Sequence, residues 1–266
     1  MVKKFLEDNL YMDGNANHSE GILENQSLIE QDLELGRVFQ TNLTMREVAQ
    51  LKAPTIKTSE EAILALKIGN ARFFSGRRVP SDFSAVERRA QVITQTPFAV
   101  VLGCSDSRVP TEIIFAQRAG DLFVIRIAGN VVEAGTLGSI EYAIRHLKTR
   151  VVVVMGHEGC GAVQAAMLDE AERCFEPEYI QFLIDRIVPS VRKLPRIRDS
   201  KARMREAVIA NVRRQVHELK QNPVVVESMH KKEIAVIGAY YEISSGAVDF
   251  FETEEDLSID DREVSG

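Results

Sequence analysis

The chain contains no tryptophan, only three cysteines and five histidines among its 266 residues, and no long apolar run. An odd, small number of cysteines excludes a disulfide-built fold and fits a reducing compartment, where thiols more often serve metals or catalysis. No stretch approaches the roughly 20 apolar residues that a membrane helix needs. Lys3-Lys4 is followed by the charged Phe5-Leu6-Glu7-Asp8-Asn9 rather than by the apolar region of an export signal. The expectation is a soluble, cytoplasmic protein with no membrane span. Concentrated positive charge is missing too. The net charge is −6, and residues 51–251 carry a mild, dispersed excess of base, which excludes a nucleic-acid footprint.

What is present divides the chain into three. Residues 1–55 are polar and acidic, with scattered Leu28, Ile29, Leu33 and Leu35, and read as a helical or partly disordered extension. Residues 252–266 carry seven acids against one arginine, have no core-forming pattern, and read as a disordered acidic tail. Between them, residues 56–251 form the expected catalytic domain. It opens on Thr58-Ser59-Glu60-Glu61, a capping box that predicts a helix with Ile63, Leu66 and Phe73-Phe74 on its apolar side and an end near Gly76.

Four segments read as strands: Phe98–Gly103, Leu122–Ile127, Val151–Gly156 and Glu233–Ala239. Their nearly continuous apolar character predicts parallel strands covered on both faces. Helical stripes lie between them, Leu137, Ile140, Ile144 and Leu147 in one and Met204, Val208, Val212, Val216 and Leu219 in another, the second closed by Asn222-Pro223. Alternating strands and helices argue for an α/β fold with a mostly parallel sheet, whose ligands gather at the carboxyl ends of the strands.

The chemistry gathers at two such ends. Cys104-Ser105-Asp106-Ser107-Arg108 follows the first strand, and His157-Glu158-Gly159-Cys160 follows the third. Two thiolates and one imidazole suit tetrahedral zinc with its fourth position open, the mark of a catalytic rather than a structural site. Cys104, His157 and Cys160 are therefore the candidate ligands of one Zn2+ per subunit, which would make hydroxide available from water at neutral pH. Asp106 is placed to orient that hydroxide, and Arg108 to keep Asp106 ionised. Gly159 and Gly161 flank Cys160 and allow close approach or unusual dihedrals. Cys174 lacks any such context and reads as an idle thiol.

These motifs resemble those of the β-class carbonic anhydrases. The likeness runs from about Glu60 to Phe251 and includes Gly69-Asn70-Ala71-Arg72-Phe73, Gln95-Thr96-Pro97-Phe98, the CSDSRVPTE and HEGCGAV segments, Gly120-Asp121-Leu122-Phe123, Arg126-Ile127-Ala128-Gly129-Asn130 and Glu141-Tyr142-Ala143. The resemblance implies reversible hydration of carbon dioxide to bicarbonate and a proton by zinc-bound hydroxide, with Asp106 and Arg108 as the dyad beside it. It implies that Gln95, Phe123, Tyr142 and Gly161 contact the substrate, Tyr142 reaching a neighbouring subunit's pocket. It also implies about four parallel strands with an antiparallel edge strand. Self-association as a dimer or dimer-based tetramer or octamer belongs to the same expectation, with the helix at Thr58 as an arm on the partner.

Two departures stand out. Relatives with a bicarbonate regulatory site carry a tryptophan three residues before the first ligand cysteine, where this chain has Val101, so that regulation is not expected, although Gly103 and Arg126 match the pattern of that site. The family's late Tyr-Asp segment appears as Tyr240-Tyr241-Glu242. A closed resting form, in which Asp106 leaves Arg108 for the fourth zinc position at low pH, is a further expectation. Hydrolysis of carbon disulfide or carbonyl sulfide, and a non-catalytic zinc module acting as a bicarbonate sensor or assembly component, are the alternatives.

Overall fold

The structure is a computed structural model that describes residues 55–77, 92, 95–192 and 194–257. The extension up to residue 54 and the tail beyond residue 257 lie outside the described residues. Helix α1 (Ser59–Phe74) starts as its sequence dictates. The Thr58 hydroxyl accepts from the Glu61 backbone, and the Glu61 carboxylate accepts from the Thr58 N–H at 2.8 Å. Ala62, Ile63 and Leu66 of this helix lie in the chain's own core. The helix expected as an arm on a partner is therefore anchored in its own subunit along one face, because its apolar stripe has the sheet to cover.

Five strands form one sheet in the order β2-β1-β3-β4-β5: β1 (Ala99–Gly103), β2 (Leu122–Arg126), β3 (Val151–His157), β4 (Ala235–Tyr241) and β5 (Val248–Phe251). The first four pair in parallel, and β5 runs antiparallel to β4 at one edge. Strand side chains alternate between the two faces. Ala99, Val101, Val151, Val153, Met155, Ile237 and Ala239 face α1 and the turn of helix α2 (Thr111–Ile114). Val100, Leu102, Val152, Val154 and Val236 face the other layer. Residues 151–155 are wholly buried, each such side chain stabilising the fold by roughly 1.5–3 kcal/mol. That double burial is why these strands read as unbroken apolar runs.

The second layer holds α3 (Ala134–Tyr142), which runs on into a wider π-turn at Ala143–Leu147. Helices α4 (Gly161–Ala166) and α5 (Glu170–Arg173) are short; α6 (Glu178–Val191) and α7 (Ser200–Leu219) are long. The Asn222-Pro223 pair does more than end a helix. Asn222 accepts from the Val224 and Val225 N–H groups and caps α8 (Pro223–His230), with proline at its first position. The acidic end also starts later than the composition indicates. Glu254–Leu257 forms a helical turn, α9, and Leu257 is buried beside Val212. Arg213 Nε also donates to the Asp256 carbonyl at 2.8 Å, so an apolar contact and a hydrogen bond tie this turn to α7.

Candidate metal centre

β1 and β3 are direct neighbours, with Gly103 level with Met155. Cys104, the residue after β1, and His157, the last of β3, therefore emerge at the same carboxyl edge of the sheet. Gly159 then turns the chain with φ +63°, a conformation that favours glycine, and Cys160 stands at the start of α4. Gly161 is different: its φ is ordinary and a methyl group there would meet nothing within 4 Å. The expectation of unusual dihedrals holds for Gly159 alone.

The donor atoms of Cys104, His157 and Cys160 lie within 4.8 Å of one another, and all three residues are buried. The two sulfurs are 3.9 Å apart. Two thiolates at about 2.3 Å on one tetrahedral zinc would sit about 3.8 Å apart, so the cysteine pair fits that ion. The imidazole fits as well. His157 Nδ1 is 3.0 Å from the Glu158 carbonyl oxygen, which can only accept, so Nδ1 carries the proton and the Nε2 lone pair is available to a metal. Nε2 is buried without a hydrogen-bond partner, an uncompensated position that a metal ion satisfies. Glu158 steadies this loop: its N–H donates to the Tyr241 carbonyl at 2.8 Å, and its carboxylate accepts from the Ser244 N–H at 2.9 Å.

The hydrogen bond from Cys160 lowers the Cys104 thiol to about 4, and the same contact, with burial, pushes Cys160 far up. Two negative sulfurs so close repel in a buried setting, and the pair retains one proton between them. A divalent cation removes that repulsion and admits both thiolates.

Asp106 and Arg108 stand at the rim of this cluster. Arg108 Nε donates to Asp106 Oδ1 at 3.0 Å and an Arg108 Nη donates to Oδ2 at 2.8 Å, while the Arg108 N–H adds a third bond to Oδ1 at 2.9 Å. The guanidinium holds the Asp106 carboxyl well below the usual carboxylate range. Asp106 Oδ2 lies 3.9 Å from His157 Nε2. The pair is in its intact form, with Asp106 turned to Arg108.

Two contributors were not legible in the sequence as parts of this cluster. Arg126, at the end of β2, donates to the carbonyls of Cys104 and Asp106 and so clamps the loop between them. The Gly129 N–H points at the Cys104 sulfur at 3.4 Å. The Arg126–Asn130 stretch carried the resemblance, but a backbone donor leaves no mark in residue type. Val101 is wholly buried in the core.

The remaining candidates do not join this cluster within one chain. Phe123 is level with Val100 on β1, about 13 Å short of Cys104 at roughly 3.3 Å per residue. Its ring is 6.3 Å from that of Tyr142, which is 47% exposed. Gln95 precedes β1 and is exposed, at the opposite end of that strand from Cys104. Cys174 is exposed and donates to the Ala171 carbonyl. A cavity of about 410 Å³ beside Gly159 is lined by Gln164, Met167, Arg198, Arg203 and Met204 among others, and by none of the three ligands.

Fold and site define an α/β enzyme with a two-cysteine, one-histidine metal-binding group beside an Asp–Arg pair. Residues 99–248 match the carbonic anhydrase family model, and the chain belongs to the carbonic anhydrase family, in its β class. It is 38% identical over 187 residues to carbonic anhydrase 2 of Mycobacterium tuberculosis, covering 68% of this chain and 87% of that one. It is 39% identical over 194 residues to the carbonic anhydrase of Mycolicibacterium smegmatis, covering 70% and 89%. Among solved structures, tetrameric β-carbonic anhydrases of Sordaria macrospora include a match with a TM-score of 0.57 at 29% identity, over 61% of this chain and 84% of that one. The Coccomyxa β-carbonic anhydrase in complex with acetazolamide gives a TM-score of 0.56 at 26% identity, over 65% and 82%. No helix among the described residues is long and apolar enough to cross a membrane.

Proposed function

We propose that this chain catalyses the reversible hydration of carbon dioxide to bicarbonate and a proton, at one zinc ion held by Cys104, His157 and Cys160. The observation that carries this reading is the carboxylate of Asp106, gripped at both oxygens by Arg108 and only 3.9 Å from the His157 nitrogen that faces the two thiols. A structural metal needs no oriented carboxylate at its edge. Zinc, when bound, supplies Lewis acidity that brings the pKa of a water towards about 7.

The protein's own groups do the rest. Asp106, kept ionised, accepts a hydrogen bond from the attacking oxygen and aims its lone pair at the carbon of carbon dioxide. Arg108 neutralises and fixes that carboxylate. Arg126 and Gly129 hold the Cys104 side of the site still. Net, one C–O bond forms and one proton passes to buffer.

The substrate wall belongs to the proposal as well. Gln95, Phe123 and Tyr142 lie away from their own chain's ligand cluster, so we assign them to the pocket of a second copy. There an amide and two aromatic rings suit a small apolar molecule with weakly accepting oxygens. Gly161, exposed next to Cys160, lines the same pocket from the metal's own chain. A homodimer is then the smallest complete unit, and dimer-based tetramers extend it. The reducing, cytoplasmic setting keeps Cys104 and Cys160 available as ligands.

Stopped-flow carbon dioxide hydration with wild type and Asp106→Ala, alongside zinc content, tests the reading. Zinc-replete wild type that is inactive at pH 8 and above refutes it.

A further inference from the structure

Two buried amides sit in the apolar face of α7. Asn211 is wholly buried and Gln215 is 1% exposed, one helical turn apart and so on one side of the helix. Neither is a metal ligand, and each lies more than 50 residues in sequence from the nearest of the three. Their bonds form a chain that ends at the metal centre. Asn211 Nδ2 donates to the Gly129 carbonyl at 2.9 Å, and Gln215 Nε2 donates to Asn211 Oδ1 at 3.0 Å. Gln215 Oε1 accepts from the Val132 N–H at 2.7 Å, and Nε2 makes a longer contact of 3.5 Å to the Arg186 carbonyl. The 129–132 segment is thus held at both ends by α7.

Gly129 is the residue whose N–H meets Cys104 Sγ. It sits at φ +72°, and a methyl group there would lie 2.4 Å from Ile187 Cδ1. α6 therefore presses on one side of this glycine while Asn211 draws its carbonyl from another. The Gly129 N–H lies in the preceding peptide unit, joined to that carbonyl through the glycine α-carbon, so with the carbonyl held and Ile187 packed against the α-carbon it has little freedom to turn from the sulfur. An N–H donor withdraws electron density from a thiolate.

We propose that Asn211 and Gln215 are positioning residues for the metal centre, holding the Gly129 N–H on the Cys104 sulfur and so setting both the placement and the electron donation of that ligand. Buried amides cost stability unless every group is satisfied, and here the bonds that satisfy them run to the segment touching a ligand. The inference rests on the metal-centre reading above.

The test uses the full chain loaded with Co2+, whose thiolate-to-metal charge-transfer absorption reports on the sulfurs. In Asn211→Ala and in Gln215→Met, which is close in shape but makes no such bonds, the band moves to longer wavelength and loss of metal to a chelator speeds up about tenfold. Val225→Ala, a buried truncation on α8, lowers the melting temperature but leaves band and release rate at wild-type values. If Asn211→Ala does not fold, Gln215→Met carries the comparison. Variants with wild-type band and release rate overturn the inference, as does a Val225→Ala shift of the same size. Wild type that takes up neither Zn2+ nor Co2+ overturns the metal-centre reading itself, an outcome distinct from loaded wild type with unaltered variants.

Discussion

Arg108 holds Asp106 at both carboxylate oxygens, at 3.0 and 2.8 Å, and adds its backbone N–H at 2.9 Å to the first. The same carboxylate lies 3.9 Å from His157 Nε2, one of the three clustered donors. Arg108 is largely exposed while His157 is wholly buried, so Asp106 stands at the boundary between solvent and site. A carboxylate so placed can hold a charge and still exchange protons with water.

Asp106→Ala should keep the metal and lose the rate. Its carboxylate is not one of the three clustered donors, so zinc content per chain should stay near wild type. Removing an oriented hydrogen-bond acceptor from the reacting oxygen costs about 10²–10³-fold in kcat. Metal analysis and stopped-flow assay on one preparation check both halves.

The acid side follows from the direction of the Asp106 shift. Arg108 lowers the folded carboxyl below its ordinary value. A depressed carboxylate contributes stability that is fully present above the unfolded value near 3.9 and is lost as pH falls through the lower folded value. Wild-type Asp106 should show no protonation by carboxyl 13C NMR down to about pH 3, and Arg108→Ala should bring the midpoint up towards about 4. A wild-type midpoint above 4 would remove Arg108 from its assigned role.

Metal uptake should release about one proton per chain from the two thiols, not two. Cys104 is held at about 4 by the bond from Cys160, whereas Cys160 is pushed far up. His157 offers a free lone pair at Nε2 while Nδ1 keeps its proton. Of the three donors only Cys160 then has a proton to lose, and any release beyond that one at pH 7 comes from water held by the metal. Calorimetry of zinc loading in buffers of different ionisation enthalpy counts it.

Paired inactive variants should complement if the substrate wall comes from a second copy. Cys160→Ser lacks the metal, and Gln95→Ala lacks the amide. A mixed dimer assembles one complete site from the ligands of one chain and the Gln95 of the other. Random mixing makes half the dimers mixed with one good site in each, so about a quarter of wild-type activity should return. Co-expressed chains with no more activity than the two variants alone would place Gln95 outside the shared pocket.

Asn70 shows how a stretch that carries a family likeness can be purely structural. Its Nδ2 donates to the Gly246 carbonyl at 2.9 Å and to the Ile114 carbonyl at 3.2 Å, and its Oδ1 accepts from the Val248 N–H at 3.0 Å. One buried side chain ties α1 to the end of α2 and to the start of β5. Asn70→Leu leaves all three backbone groups unpaired and should cost about 3 kcal/mol or more, seen as a lower denaturant midpoint with unchanged metal stoichiometry.

The three metal-binding candidates, the Asp–Arg pair, four parallel strands and the cap of α1 were all legible in the residues. Each depends on local chemistry: donor type, spacing across one turn, or apolar runs such as residues 151–155. Strand ends moved by a residue or two, as at β4, which continues to Tyr241. The edge strand Val248–Phe251 was expected without a place, since four residues, one buried, one exposed and two half-buried, carry little periodic signal. α6 went unread, its stripe interrupted by Pro189.

The sequence by itself therefore determined which side chains are candidates to bind a metal and which flank them, because a thiol, an imidazole or a carboxylate keeps its chemistry wherever the chain places it. Only the tertiary structure decided that β1 lies beside β3, bringing Cys104 and Cys160 to 3.9 Å. It also put Arg126 and the Gly129 N–H around Cys104, with Asn211 and Gln215 behind them, and it kept Phe123 and Tyr142 away from their own chain's site. Those relations depend on strand order, register and backbone direction, which arise from packing the whole domain.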